Sequence, residues 1–183
     1  MPEELEDLDP EFLEKFVRIY LAGNVGSRRA LRGSAPGWRR TRGEAELRAF
    51  HESSHAVIGH LHGHYPWLVS IKLDPGVRIE KTGISGGFSA GGNTPSPPPG
   101  WARPSGRAET DLRRAAKACL VLSNFEGPYG WKSALRHAHR LKSQTARLVD
   151  AYWPYVVTLA GKLAERGELT GAEVMAILKA RGT

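Results

Sequence analysis

Residues 43–63, GEAELRAFHESSHAVIGHLHG, decide how the rest of the chain is read. Leu47, Phe50, Ser54, Ile58 and Leu61 recur at three- and four-residue spacing and predict an amphipathic helix from about Gly43 to Gly63. Inside it, His51-Glu52-Ser53-Ser54-His55 is an HExxH pattern. Residues four apart are neighbours on one helix face, so both imidazoles can converge on a single zinc ion. Glu52 is then expected not to ligate but to act as general base. It would take a proton from water at the metal, make that water a nucleophile for a peptide carbonyl, and later protonate the leaving amine. With this chain's content of His and Glu, the pattern arises by chance with a probability of roughly 0.02. Its position inside an independently predicted helix is what the geometry requires. His62 points the same way as His51 but is displaced by about 16 Å along the axis, too far to share the ion. His60, His62 and His64 are read as surface or sheet-contact residues.

Upstream, Asp9 is an expected N-cap and Pro10 a first helical residue. Phe12, Phe16, Ile19 and Tyr20 form one stripe, and the helix is expected to end near Gly23. A Gly-, Ser- and Arg-rich linker follows. Downstream of the HExxH helix the period changes to two. Trp67, Val69, Ile71 and Leu73 alternate with more polar neighbours before an Asp74-Pro75-Gly76 turn, which predicts a strand. Val77 to Glu80 and Ile84 to Ser89 would complete a small antiparallel sheet. Residues 90–106, AGGNTPSPPPGWARPSG, predict a loop. Helical pattern then covers about 108–125, 131–151, 154–166 and 171–181. Pro154 suits a first turn, Gly167 a C-terminal stop, and Thr170 with Glu173 a capping box.

Composition narrows the class. The 183 residues carry 26 Lys plus Arg against 19 Asp plus Glu, and the absence of any long apolar run excludes a membrane-spanning helix. The single cysteine, Cys119, excludes an internal disulfide, fits a reducing cytosol and reads as a small core residue. The acidic N-terminal stretch lacks the order of a signal peptide. Seven arginines between Arg28 and Arg48 form a basic run that is either a solvated linker or a grip for phosphates. No phosphate-binding loop or dinucleotide fingerprint occurs.

Ala49 to Gly59, AFHESSHAVIG, resembles the zinc helix of the peptidase domain of FtsH-type proteases, where a similar A-x-H-E-x-x-H-A-V-x-G run occurs. Val69 to Leu73 with the Asp74-Pro75-Gly76 turn resembles the strand after that helix. Gly83 to Ser89 resembles the next edge strand, and Leu159 to Gly171 with Glu173-Val174 resembles the closing helices. The resemblance covers about residues 44–181. It implies a zincin-like fold, a Zn2+ cofactor held by His51 and His55, Glu52 as base, and peptides or unfolded proteins as substrates that add to the edge strand. It further implies a third ligand, an aspartate early in a helix that follows a central A-G-x-A-A-E type segment. The best match for that segment is Ala118 to Tyr129, which puts the expected aspartate on Gly130.

A catalytic zinc needs three protein ligands and an open position. Glu126 is the first candidate for the third, followed by His137, Asp150 and Asp111. The resulting expectation is a mostly helical α+β, zincin-like domain with a small antiparallel sheet beside the HExxH helix. Residues 1–43 form an N-terminal helix and Arg-rich linker, and residues 44–183 the peptidase-like domain. Its expected activity is that of a cytoplasmic zinc metallopeptidase without its own ATPase, served by a separate one if at all. The alternatives are a non-catalytic interaction module of the same fold and a nucleic-acid binder using Arg28 to Arg48.

Overall fold

The computed structural model describes residues 9–32, 43–71, 76–79, 107–123 and 130–180. The expected strand at Ile84 to Ser89, the loop at 90–106 and Glu126 lie outside the described residues, as do Arg39, Arg40 and Arg42 of the basic run. The order is α1 (Pro10–Leu31), α2 (Glu44–Leu61), β1 (Pro66–Ser70), β2 (Gly76–Ile79), α3 (Arg107–Leu122), α4 (Gly130–Ala151), α5 (Trp153–Arg166), β3 (Glu168–Thr170) and α6 (Gly171–Lys179). The fold is mostly helical α+β, with α2 carrying the HExxH pattern beside the sheet.

Helix α1 begins as its sequence says. Asp9 caps it by accepting from the Phe12 N–H at 3.3 Å, and Pro10 occupies the first turn, where no N–H is needed. It does not stop at Gly23. It continues to Leu31 and takes Arg28 and Arg29 into its last turn, so part of the expected linker is helix. Glycine inside a helix costs about 1 kcal/mol relative to alanine, and close packing offsets that cost here. A Cβ on Gly26 would lie 1.8 Å from Ser54 Oγ and 2.8 Å from Ser54 Cβ, so the missing side chain lets α1 and α2 touch backbone to side chain.

Two apolar clusters meet on α1. Ile19, Ala22 and Ala30 pack with Phe50, Val57 and Ile58 of α2, Val156, Leu159 and Leu163 of α5, and Val69 of β1. Leu13, Val17 and Leu21 pack instead with Ala115, Ala118 and Cys119 of α3 and Ala134, Ala138 and Leu141 of α4. The small residues of α3 and α4 keep those helices close to α1. Cys119 sits in that second cluster, and burial pushes its thiol up to about 12, which keeps it a neutral core residue. Phe50 stacks on Trp153 at 5.4 Å between ring centres, which ties α2 to the start of α5.

The sheet has the order β2-β1-β3, antiparallel throughout, with Val69 opposite both Val77 and Leu169. Strand β3 is three residues long and has no alternation of its own to announce it. It forms because Gly167 turns the chain at φ 76°, donating to the Leu163 carbonyl at 2.8 Å, and because Thr170 at once caps α6. The capping box is complete: the Thr170 N–H donates to Glu173 Oε2 at 2.8 Å and the Glu173 N–H to Thr170 Oγ1 at 3.4 Å.

Gly26→Ala tests the close approach of α1 and α2. It is expected to destabilise the protein by about 1–3 kcal/mol in chemical denaturation, because overpacking outweighs the gain in helix propensity. Unchanged or increased stability would show that the two helices are not held at this distance.

Candidate metal centre

Helix α2 is enclosed on all sides over the motif, and every residue from Ala49 to Gly59 is buried. His51 and His55, one turn apart, turn their Nε2 atoms toward each other at 3.1 Å. The third group is Asp111, the fifth residue of α3: its Oδ2 lies 3.0 Å from His51 Nε2 and 3.2 Å from His55 Nε2. Among the described residues this is the one group of three side chains arranged to hold a metal ion.

The donor set has the right size. Four ligands at about 2.05 Å from a tetrahedral zinc lie about 3.3 Å apart, and the three edges here are 3.0, 3.1 and 3.2 Å. The hydrogen bonds behind the rings set which atoms face inward. His55 Nδ1 lies 2.7 Å from the Ile19 carbonyl oxygen, which can only accept, so this nitrogen carries a proton, and in the neutral ring Nε2 presents its lone pair to the cluster. His51 Nδ1 faces Ser27 Oγ at 3.5 Å. Helix α1 passes directly beneath. A Cβ on Gly23 would come within 2.4 Å of His55 Nε2 and 2.7 Å of His51 Nε2, so glycine leaves open a cradle beside both donor atoms.

Electrostatics describe the same centre. Burial opposes a charge on His55, but the Asp111 carboxylate beside it, its hydrogen bond, the nearby charge of Glu52 and the Ile19 carbonyl outweigh burial and raise the group to about 9. Burial likewise works against an ionised Asp111, yet His55 and His51 hold its carboxyl well below the usual carboxylate range. In the absence of a metal, these shifts favour a proton on His55 opposite an ionised Asp111. Metal binding must displace that proton.

Glu52, adjoining His51, is 5% exposed and contributes to the field at His55. Of the other candidates for the third ligand, Asp150 is taken by an ion pair with Arg29, whose guanidinium also stacks over Trp153. His137 accepts from Arg140 at the surface. Neither reaches the two imidazoles, and Asp111, ranked last on sequence, does. The resemblance puts the third ligand at Gly130 of α4, whereas the side chain that meets the two imidazoles is Asp111 of α3. The sequence offers Ile19 as a packing residue, Gly23 as a helix end and Ser27 as part of a linker, none of them as part of the site. Their signal was the run of small residues Ala22, Gly23, Gly26, Ser27 and Ala30, which marks a helix face built for close contact.

The neighbouring histidines take no part. His60 packs edge-on against Tyr65, and His64 against Phe12. His62 ends α2, and its Nε2 is buried with no hydrogen-bond partner among the described residues. Of the basic run, Arg28, Arg29 and Arg32 belong to α1 and its cap, and Arg48 pairs with Glu44 along α2. No family model, curated protein or solved structure matches the chain. No described helix is long and apolar enough to cross a membrane.

Two outcomes are expected. Asp111→Asn lowers zinc affinity by about 10²-fold or more in chelator competition, through loss of the charged ligand. His137→Ala and Asp150→Asn leave it unchanged, and the reverse ranking would remove Asp111 from the ligand set. Separately, burial first, then Arg18, Lys15 and His64, push His62 down to about 4, so the folded state prefers a neutral ring. That preference contributes full stability above the unfolded value near 6.5 and is lost as pH falls from there toward 4. His62→Gln should flatten the decline in melting temperature over that interval, and a variant as acid-sensitive as the parent would contradict the assignment.

Proposed function

We propose that the chain is a zinc-dependent peptidase in which His51, His55 and Asp111 hold the metal and Glu52 moves the protons. The observation that carries the reading is the meeting of three acceptor atoms from two helices within 3.2 Å of one another, next to a buried glutamate. Two imidazole nitrogens and one carboxylate form a three-ligand set of the hydrolytic type, which leaves a coordination position open. A zinc ion bound there supplies Lewis acidity that polarises a substrate carbonyl and eases the loss of a proton from water.

The protein's own contribution is placement and proton transfer. Glu52 accepts a proton as the water oxygen bonds to the carbonyl carbon, then gives it to the amine nitrogen as the peptide C–N bond breaks. The glutamate is thereby returned to its starting state.

The likeness to the FtsH-type peptidase domain supports the same reading. An aspartate early in a helix is what that likeness implies for the third ligand, and Asp111 occupies such a place in α3. A zincin-like fold, the use of unfolded protein or peptide as substrate, and a cytoplasmic location in keeping with the single thiol belong to this reading. Delivery of substrates by a separate ATPase belongs to it too.

Zinc-loaded protein is expected to cleave an unfolded protein or a broad peptide library. Glu52→Gln should keep the metal and lose about 10²–10⁴-fold in rate. Failure of the parent to cleave any member of the library would overturn the peptidase reading. So would purification with redox-active iron in place of zinc, since two histidines and a carboxylate also suit that metal.

A further inference from the structure

The three candidate metal ligands come from α2 and α3, and α1 contributes none of them. What α1 supplies lies behind the rings. Its Ile19 carbonyl accepts from His55, its Gly23 leaves space at both Nε2 atoms, and its Ser27 hydroxyl stands opposite His51 Nδ1. We propose that Ser27 is a positioning residue for the metal centre, holding His51 in the tautomer and orientation that present Nε2 to the ion. The inference rests on the reading of His51, His55 and Asp111 as a metal site.

The direction of the hydrogen bond follows from what else the hydroxyl touches. Ser27 Oγ lies 3.0 Å from the Gly23 carbonyl oxygen and 3.4 Å from the Leu47 carbonyl oxygen, and both are acceptors. The single hydroxyl proton is therefore committed to a carbonyl, and a lone pair faces the ring at 3.5 Å. Nδ1 of His51 then carries a proton, so that the neutral ring offers its Nε2, 3.0 Å from Asp111 Oδ2, to a metal ion. The same hydroxyl stands 3.4 Å from the Leu47 carbonyl oxygen of α2, so the side chain that faces His51 also sits at the contact between α1 and α2. Groups that hold the outer nitrogen of a ligating histidine typically change metal affinity by about 10–100-fold when removed.

An isosteric pair in the full-length protein separates hydroxyl from shape. Ser27→Thr keeps the oxygen, and Ser27→Val replaces it with a methyl of the same size. The readouts are zinc affinity by chelator competition, the visible spectrum of the cobalt-substituted protein, and the melting temperature of the metal-free form. Ser27→Thr is expected to bind zinc like the parent. Ser27→Val should bind about 10–100-fold more weakly, with a shifted cobalt spectrum and a metal-free melting temperature lowered only by the loss of one hydroxyl–carbonyl bond. Equal affinities in the two variants, whether both parental or both weakened, would overturn the role of the hydroxyl while leaving the metal site standing. If either variant fails to fold, Ser27→Ala against the parent gives the same comparison, and parental affinity in Ser27→Ala overturns the proposal. A parent that binds neither zinc nor cobalt would instead overturn the metal site itself.

Discussion

Two imidazole nitrogens and a carboxylate oxygen converge at the centre of this molecule, a grouping that needs a proton or a metal ion among its lone pairs. His51 Nε2, His55 Nε2 and Asp111 Oδ2 face one another at 3.0–3.2 Å in a buried setting, and the bond from His55 to the Ile19 carbonyl fixes which nitrogen of that ring points inward. Lone pairs brought this close repel unless a positive charge lies among them. The raised His55 and depressed Asp111 describe the same requirement from the side of the proton. A protein with only structural needs could meet them with an apolar contact at less cost, since charges buried as a group must first be desolvated.

The rest of the fold serves that placement. Helix α1 lies between two apolar clusters and is held from both sides, by α2, α5 and the sheet on one and by α3 and α4 on the other. Because the second cluster fixes α3 against α1, it also fixes Asp111 against the two imidazoles. Small residues are placed where the backbone must come near: Gly26 against Ser54, Gly23 against the rings. The stacking of Phe50 on Trp153 secures α2 on its opposite side. Ligand geometry is thus inherited from packing between helices rather than from a loop that adapts to the ion, which is the condition for a preorganised site.

Local signals in the sequence were legible, and signals that depend on distant contact were not. The HExxH helix, the Asp9 cap, Pro154, Gly167 and the Thr170–Glu173 box each depend on a few consecutive residues, and each forms as read. Gly23 suggests a helix end because glycine is poor in helix interiors. Only contact with a second helix reveals that its missing side chain is the point. Strand β3 is too short to show a period and exists by pairing with β1. Asp111 is 56 residues from His55, and no spacing rule spans a long intervening segment rich in Gly and Pro. Its place in the site follows from how α3 packs on α1, which no local pattern encodes.

His51, His55 and Asp111 are expected to hold one metal ion between them. Zinc-loaded crystals measured on both sides of the zinc absorption edge locate the ion directly. One anomalous peak per chain is expected, within about 2.2 Å of His51 Nε2, His55 Nε2 and an Asp111 carboxylate oxygen. A peak on His60, His62 or His64, or one bound by the two imidazoles with Glu126 in place of Asp111, would contradict it.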